Sequence, residues 1–251
     1  MKGSFGKAKA LVINMNIQDA YKNKLFSILG DSISTLDGYT EPDGAAFYTG
    51  MEKFRADVFT PDDTWWGQVV QYLGGRVLVN NSFSGSTVIK HRSCEIQSFG
   101  CSDERTSSLG RSGVDPDVIM VFMGTNDWGC AARLRPVKES NENDLSIFFT
   151  AYTAMIEKLQ KNYTKAEIWC FTLPISTYKE EADFVFPYLY RGIHINDYCD
   201  IIREVAVGHG CRVIDLYNAP NPYDTIDGFH PDQKGMKTLS GAVIQALSQL
   251  N

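Results

Sequence analysis

The sequence predicts a single α/β domain in which a five-stranded, mainly parallel sheet is covered by helices on both faces. The chain has 251 residues, of which 43% are hydrophobic and 22% charged, as in globular domains with a sizeable core. Short apolar runs alternate with amphipathic stretches along the chain. Such alternation is typical of parallel strands joined by helical crossovers. The runs are also apolar at successive positions, as expected of strands buried on both faces.

Each element follows from its own pattern. Five apolar, β-branched runs are short enough to be buried strands; they span 25–29, 77–79, 118–123, 168–173 and 213–216. Apolar residues with helical spacing predict the helices, which span 65–73, 145–163, 195–207 and 235–250. Three further segments are long for simple connections, namely 36–63, 88–114 and 174–192. Because long irregular segments in compact domains are usually functional or mobile, we expect these three to border the ligand site.

The ends and the charge of the chain limit its location and partners. Residues 1–24 are interpreted as an N-terminal extension to one domain at 25–251. Their apolar run is broken by polar residues, unlike a signal peptide, and no stretch approaches the roughly 20 apolar residues that cross a bilayer. We therefore expect a cytoplasmic protein that does not bind membranes. A net charge of -6 without a basic run argues against nucleic acid as a partner. The oligomeric state stays open.

Cysteine and histidine spacing indicates neither disulfides nor metal. Six cysteines form no Cys-x-x-Cys pair, so reduced thiols are the expected state. Cys94 and Cys101 flank a polar loop and would pair only in an exported protein. The histidines outside the last polar segment lack ligand spacing, and we expect no metal site.

Polar segments follow the predicted strands. In an open parallel sheet, ligands bind outside the carboxyl ends of the strands, so these segments should meet at one site. They span 30–32, 80–86 and 124–128, and 227–231 lies in the loop after the last strand.

These segments contain the parts needed for acyl transfer: a nucleophile, a base and a group that orients the base. Ser32, on a tight turn between strand and helix, is the candidate nucleophile, and His230 is the candidate base. Asp227, three residues before His230, is the candidate orienting acid. Asp215, at the end of the last strand, is the alternative, but the proximity of Asp227 to His230 favours Asp227. Pro231 is expected to start the closing helix.

Candidate oxyanion donors come from three segments. They are the backbone N–H groups of Ser32 and Gly85 and the side-chain amide of Asn126. Glycine at position 85 matters because a side chain there could block the approach of the backbone. Preorganised donors of this kind stabilise the developing oxyanion.

The same segments resemble the four signature blocks of the SGNH hydrolase superfamily, also called GDSL esterases and lipases. The blocks occur in the family's order from about residue 25 to the end, as Gly30-Asp31-Ser32, Gly85, Gly124-Thr125-Asn126-Asp127 and Asp227-Gly228-Phe229-His230-Pro231. The resemblance implies a flavodoxin-like three-layer α/β/α sandwich and ester hydrolysis through an acyl-serine, without a cofactor. It also implies the roles given above for the nucleophile, the base, the orienting acid and the three oxyanion donors. Position 34 is Ser, so the chain lacks the Gly-x-Ser-x-Gly elbow of α/β-hydrolases.

Aromatic residues crowd the loops, and Trp128 is the best placed of them to line a substrate pocket. Asp31 and Asp127 are further pocket candidates, although holding their own loops is the simpler interpretation. Flat, amphipathic rings suit a sugar better than a long acyl chain. The sequence thus favours a small ester, with O-acetylated carbohydrate as the preferred substrate.

Several alternatives stay open. A lysophospholipase or acyl-thioesterase would act on lipid-like esters, and a sugar O-acyltransferase would use the same residues in a pocket that excludes water. A glycan-binding module without activity ranks low because none of the three candidate catalytic residues is missing. A nucleotide-binding protein ranks low because the acidic Asp31 follows the first strand.

Overall fold

A fully parallel five-stranded sheet forms the centre of the molecule. The computed structural model describes residues 16–41, 46–90, 98–138, 140–141, 143–178, 180–181, 186, 189–190 and 192–249. The strands are β1 Leu25–Gly30, β2 Arg76–Ser82, β3 Val118–Phe122, β4 Glu167–Phe171, β5 Ser176–Tyr178, β6 Leu189–Tyr190, β7 Ile193–His194, β8 Arg212–Ile214 and β9 Tyr223–Thr225. The sheet has the strand order β2-β1-β3-β4-β8, and its members fall on the five predicted runs.

Helices cover both faces of the sheet, and this confirms the predicted three-layer α/β/α sandwich. The helices are α1 Ile17–Tyr21, α2 Gly50–Ala56, α3 Trp65–Tyr72, α4 Asp103–Ser107, α5 Thr125–Gly129, α6 Phe148–Asn162, α7 Ile195–Gly208 and α8 Gln233–Ser248. Of these, α6 and α7 pack on one face of the sheet, and α1, α3 and α8 pack on the other. No helix among the described residues is long and apolar enough to cross a membrane. The cytoplasmic location stays a prediction.

Alternating strand side chains fill two separate cores. In β3, Met120 packs under α3 and α8, whereas Val121 packs under α6 and α7. Both side chains are fully buried. Because burial of one such side chain contributes about 1.5 to 3 kcal/mol, a strand that is apolar at every position, as β3 is, stabilises both layers at once. This explains why β3 lacks a polar alternation.

The short helix α1 lies in the predicted N-terminal extension yet joins the core. Tyr21 packs edge-on against Trp169 with ring centroids 5.2 Å apart, and its hydroxyl donates to Glu167 at 2.8 Å. Ile17 is also buried in the same layer. The described part of the extension therefore contributes to the domain, whereas residues 1–15 lie outside the described residues.

Short elements occupy the three long connections. The first contains α2, the second contains α4, and the third contains β5, which pairs in parallel with β9. The prediction missed α2 and α4 because five to seven residues are too few to show a helical period.

The predicted start of the closing helix at Pro231 was wrong. Asp232 caps it by accepting from the Gly235 N–H at 2.7 Å, and α8 begins at Gln233.

The thiols of Cys101, Cys170, Cys199 and Cys211 are free. Cys94 lies outside the described residues.

The strand order creates a crevice next to β1. The chain leaves β1 for β2 on one side and later returns to β3 on the other. Loops at the carboxyl ends of β1 and β3 therefore diverge, and ligands of such sheets bind where they diverge. The polar segments after β1, β2 and β3 all lie at this edge.

Candidate active site

A tight turn presents Ser32 at the end of β1. The chain forms a single 3₁₀ turn, Ser32–Ser34, where the sequence predicted a turn into a helix. The Asp31 carboxylate caps this turn by accepting from the Ile33 N–H at 3.1 Å. At Gly30, a Cβ atom would lie 2.6 Å from the Ser82 hydroxyl oxygen, so a larger residue would displace the turn.

The turn places Ser32 against His230, and His230 against Asp227. Ser32 Oγ lies 2.9 Å from His230 Nε2, and His230 Nδ1 lies 2.6 Å from Asp227 Oδ2. Because a carboxylate accepts hydrogen bonds, Asp227 favours the tautomer with the proton on Nδ1. The Nε2 lone pair then faces the Ser32 hydroxyl. Burial would raise the pKa of Asp227, but the hydrogen bond and charge interaction with His230 hold that pKa below its ordinary value.

The loop that carries His230 is held by hydrogen bonds to its carbonyl groups. The Tyr223 hydroxyl donates to the Phe229 carbonyl at 2.8 Å, and the Ser176 hydroxyl donates to the Gly228 carbonyl at 2.6 Å. Gly228 has a φ of 92°, a region that favours glycine. The Asp227 Oδ1 atom accepts from the His230 N–H at 2.8 Å. The ring of His230 is thereby fixed through its own backbone.

Asp215 serves a different part of the fold. Its carboxylate accepts from the Arg203 guanidinium at 2.9 Å and from the Thr172 hydroxyl at 2.9 Å. The Asn218 amide also donates to it, at 2.8 Å. Asp215 thus joins α7 to the ends of β4 and β8, while Asp227 contacts His230.

The loop after β2 and the start of α5 are joined at the same edge. Gly85 has a φ of 76°, and Gly124, which precedes α5, has a φ of 131°. The Asn126 amide donates one hydrogen to the Ser86 carbonyl at 3.0 Å. An amide nitrogen carries two hydrogens, so the second is available to a ligand. Ser32 and Asn126 border one cavity.

That cavity has a volume of about 320 Å³ and is lined by Ser32, Ile33, Thr125, Asn126, Trp128, Gly129, Phe229 and His230. The indole N–H of Trp128 donates to the Ile193 carbonyl at 3.2 Å. The indole ring packs against Phe186 and Phe229, with centroid distances of 5.8 and 6.3 Å. Two larger clefts, of about 590 and 530 Å³, lie beside α8 and β2 and do not contact Ser32.

Asp31 and Asp127 do not line the cavity, contrary to their candidacy as pocket residues. Both side chains are buried, that of Asp31 at the turn after β1 and that of Asp127 in α5. Asp127 accepts from the backbone N–H groups of Val88 and Ile89 at 2.8 and 3.0 Å, which ties α5 to the loop after β2. Burial raises the pKa of Asp31 to about 6 and that of Asp127 to about 7.

The sequence assigned no individual role to two residues at this edge, Phe47, which is one of the aromatic residues that crowd the loops, and Arg105. Phe47 stacks on the His230 ring with centroids 3.5 Å apart and planes 10° apart. Arg105, in the short helix α4, is buried beneath the loops and donates to the Gly30 carbonyl at 2.9 Å. Neither residue belongs to a motif, and both lie in segments predicted as loops, so no local signal identified them.

Within the described part of the chain, no group of three His, Cys, Asp or Glu side chains is arranged to hold a metal ion.

Comparisons with known proteins agree with this geometry. Residues 24–183 match the family model of the GDSL-like lipase/acylhydrolases. A protein from Bacteroides ovatus described as a GDSL-like lipase is 26% identical, with a TM-score of 0.69 over 91% of this chain and 99% of that one. A similarly described protein from Bacteroides uniformis is 27% identical, with a TM-score of 0.67 over 90% and 96%. No curated protein matches the chain in sequence.

A more distant structure shares the fold alone. It is a carbohydrate esterase family 2 enzyme with a carbohydrate-binding domain, from Corynascus thermopiles. The identity is 16% and the TM-score 0.55, over 91% of this chain and 68% of that one.

Proposed function

Because this chain belongs to the GDSL-like lipase/acylhydrolase family and is an SGNH-type serine hydrolase, we propose that it hydrolyses small acyl esters through an acyl-serine intermediate. The favoured substrates are O-acetylated carbohydrates. The observation that carries the proposal is the unbroken series Ser32, His230 and Asp227, with contacts of 2.9 and 2.6 Å at the wall of a cavity. Such a series activates a serine hydroxyl as nucleophile.

In the first step, Ser32 Oγ attacks the carbonyl carbon of the ester while His230 Nε2 takes the hydroxyl proton. Asp227 stabilises the imidazolium that forms and keeps it oriented. The tetrahedral intermediate then collapses, and His230 donates the proton to the leaving alcohol. The acyl group stays on Ser32.

The negative charge of the intermediate falls on the former carbonyl oxygen. The proposed donors are the backbone N–H groups of Ser32 and Gly85 and the free hydrogen of the Asn126 amide. Loss of one such donor costs about 2.7 to 4 kcal/mol of transition-state stabilisation in acyl-transfer enzymes. In the second half of the reaction, water attacks the acyl carbon while His230 takes its proton. The bond between Ser32 Oγ and the acyl carbon then breaks, His230 returns the proton to Ser32 Oγ, and the acid leaves.

The cavity supports a small substrate. A volume of about 320 Å³ is at the low end of the range for ligand pockets. Trp128 uses its N–H within the protein and is almost fully buried, so its contribution to the cavity wall is apolar. An apolar wall next to the polar Asn126 and Thr125 suits a sugar ring or a short acyl group.

A lipid-directed activity is the second candidate, and one surface feature favours it. Met51, Phe54 and Phe59 are exposed, and the two phenylalanine rings are 5.3 Å apart. Arg55, on the same helix, donates to the Ile226 carbonyl at 2.9 Å, next to Asp227. An apolar surface beside the candidate site is the kind that contacts lipid.

Hydrolysis of p-nitrophenyl acetate, butyrate and octanoate tests the proposal, together with a panel of acetylated sugars. Wild type should act best on acetate, and Ser32→Ala should lose about a thousandfold or more of that rate. Ser34→Ala removes a hydroxyl from the same turn and should stay within a few fold of wild type.

The outcomes separate the candidates. Preference for octanoate over acetate would favour the lipid-directed activity. Equal inertness of wild type and Ser32→Ala would exclude hydrolysis. Glycan binding and acyl transfer to sugars would then be measured.

A further inference from the structure

A buried arginine lies beneath the proposed oxyanion site. Arg105 is 3% exposed, although it belongs to the five-residue helix α4 on a connection between β2 and β3. Arginine is almost never fully buried unless it is paired. Its burial must therefore be stabilised by the hydrogen bonds of its guanidinium group.

The guanidinium joins the ends of two strands. One terminal nitrogen, Nη2, donates to the Gly30 carbonyl at 2.9 Å and to the Asn81 carbonyl at 2.7 Å. Gly30 is the last residue of β1 and lies two residues before Ser32. Asn81 lies four residues before Gly85. A single planar group thus sets the distance between two of the segments that carry the proposed donors.

The other terminal nitrogen reaches the third segment through Ser86. Arg105 Nη1 donates to Ser86 Oγ at 2.8 Å and to Ser98 Oγ at 2.9 Å. The Ser86 hydroxyl in turn donates to the Ser98 carbonyl at 3.0 Å. The Ser86 carbonyl accepts from Asn126 at 3.0 Å. Ser86 therefore connects Arg105 to Asn126, and it is the immediate neighbour of Gly85.

Arg105 has no ion-pair partner at contact distance among the described residues. Its hydrogen-bond acceptors there are carbonyl and hydroxyl oxygens. The carboxylates of Asp31 and Glu104 interact with its charge from beyond hydrogen-bond distance. Burial lowers the pKa of Arg105 to about 10, so the side chain remains a cation at neutral pH. A cation beneath the donor segments favours a negative charge that forms there.

We propose that Arg105 is a positioning residue for the oxyanion hole. It fixes the three donor segments relative to one another through Gly30, Asn81 and Ser86, and its charge favours the oxyanion over the neutral ester. The inference rests on the proposed ester hydrolysis. Because the ground-state ester carries no such charge, loss of Arg105 should lower kcat and leave KM nearly unchanged.

The test compares Arg105→Lys and Arg105→Met with wild type on p-nitrophenyl acetate. Phenylboronic acid is the second probe, since its adduct with a serine hydroxyl is a tetrahedral anion that resembles the intermediate. For Arg105→Met we expect kcat to fall about 30- to 300-fold, KM to change less than threefold, and boronate inhibition to weaken by a factor similar to the loss in kcat. Arg105→Lys keeps the charge but not the planar fork, so its loss should be about tenfold.

Arg203→Met is the matched control. It removes a partly buried arginine that bridges α7 and Asp215, away from Ser32. It should lower the Tm without lowering kcat or boronate affinity. If Arg105→Met does not fold, Ser86→Ala replaces it, because it removes one acceptor of Arg105 and should lower kcat about five- to twentyfold.

Folded Arg105 variants that keep kcat and boronate affinity within threefold of wild type would overturn the inference. A rise in KM at constant kcat would also overturn it. Failure of the proposed function looks different, since wild type itself would then be inert towards the ester.

Discussion

Two layers of polar groups lie at the same edge of the sheet. The outer layer consists of Ser32, His230 and Asp227. Ser32 and His230 line the cavity, and Asp227 is hydrogen-bonded to His230. The inner layer, Asp31, Arg105 and Asp127, is buried beneath it. The layers differ in electrostatics: the pKa of Asp227 is held low by His230, whereas burial raises the pKa values of Asp31 and Asp127.

Depth below the surface, and not residue type, therefore separates the reacting groups from the groups that hold the loops at this edge. A carboxylate next to an imidazole can stabilise a charge that appears during the reaction. A carboxylate surrounded by backbone N–H groups, such as Asp127, instead fixes a loop. Substitutions in the outer layer should therefore reduce the rate, and substitutions in the inner layer should also change stability.

The largest expected effect comes from Asp227→Asn. The amide cannot hold the tautomer of His230 that leaves Nε2 free, so kcat should fall about a thousandfold or more while the fold is kept. Asp215→Asn is the control, because its contacts are with Arg203 and Thr172. Ester hydrolysis and the Tm of both variants are the measurements. A large loss of rate in Asp215→Asn and a small one in Asp227→Asn would reverse the assignment.

The outer layer was predictable from sequence because its residues occur in short motifs directly after strands. The strands themselves were predictable because each contains consecutive apolar residues, as in β1 and β3. Arg105 was not predictable: its contact with Gly30 spans 75 residues, and its helix is five residues long. The stacking of Phe47 on His230 was not predictable for the same reason, because the two residues are far apart in the sequence and meet only in the folded chain. Long-range contacts between loops leave no local period.

Asn126→Ala should have the next largest effect. It removes one proposed oxyanion donor and also the hydrogen bond to the Ser86 carbonyl. We expect kcat to fall about 100- to 1,000-fold with a smaller change in KM. Steady-state kinetics on p-nitrophenyl acetate measure both values. Asn162→Ala, which removes an amide bonded to the Thr106 carbonyl, is the control and should keep wild-type kinetics. An Asn126→Ala variant with wild-type kcat would remove Asn126 from the oxyanion hole.

Gly129→Val tests whether the cavity limits substrate size. Gly129 lines the cavity, and a Cβ atom added there meets nothing within 4 Å. Valine should therefore fold normally but fill part of the space, and kcat/KM for butyrate should fall about tenfold more than that for acetate. Gly208→Val is the matched control, because Gly208 also ends a helix and a Cβ atom added there likewise meets nothing within 4 Å. Equal losses for both esters would show that the acyl group binds elsewhere.

Asp127→Asn should have the smallest effect, and it concerns stability and pH. The pKa of Asp127 is raised from 3.8 to about 7 in the folded protein, chiefly by burial. Between about pH 4 and 7 the folded state therefore binds more protons than the unfolded state, and this group makes stability fall as pH rises. The variant does not titrate there, so its unfolding free energy relative to wild type should improve by on the order of 3 kcal/mol from pH 4.5 to 7.5, on top of a constant loss from one missing acceptor. Asp117→Asn is the control. Burial would raise the pKa of Asp117, but its hydrogen bonds to Lys24 and the Leu25 N–H hold that pKa below its ordinary value, so its contribution to stability is lost only below about pH 4. The difference in unfolding free energy between Asp117→Asn and wild type, measured by urea unfolding, should therefore stay constant from pH 4.5 to 7.5. A flat profile for Asp127→Asn as well would mean that burial does not set the charge of the inner layer.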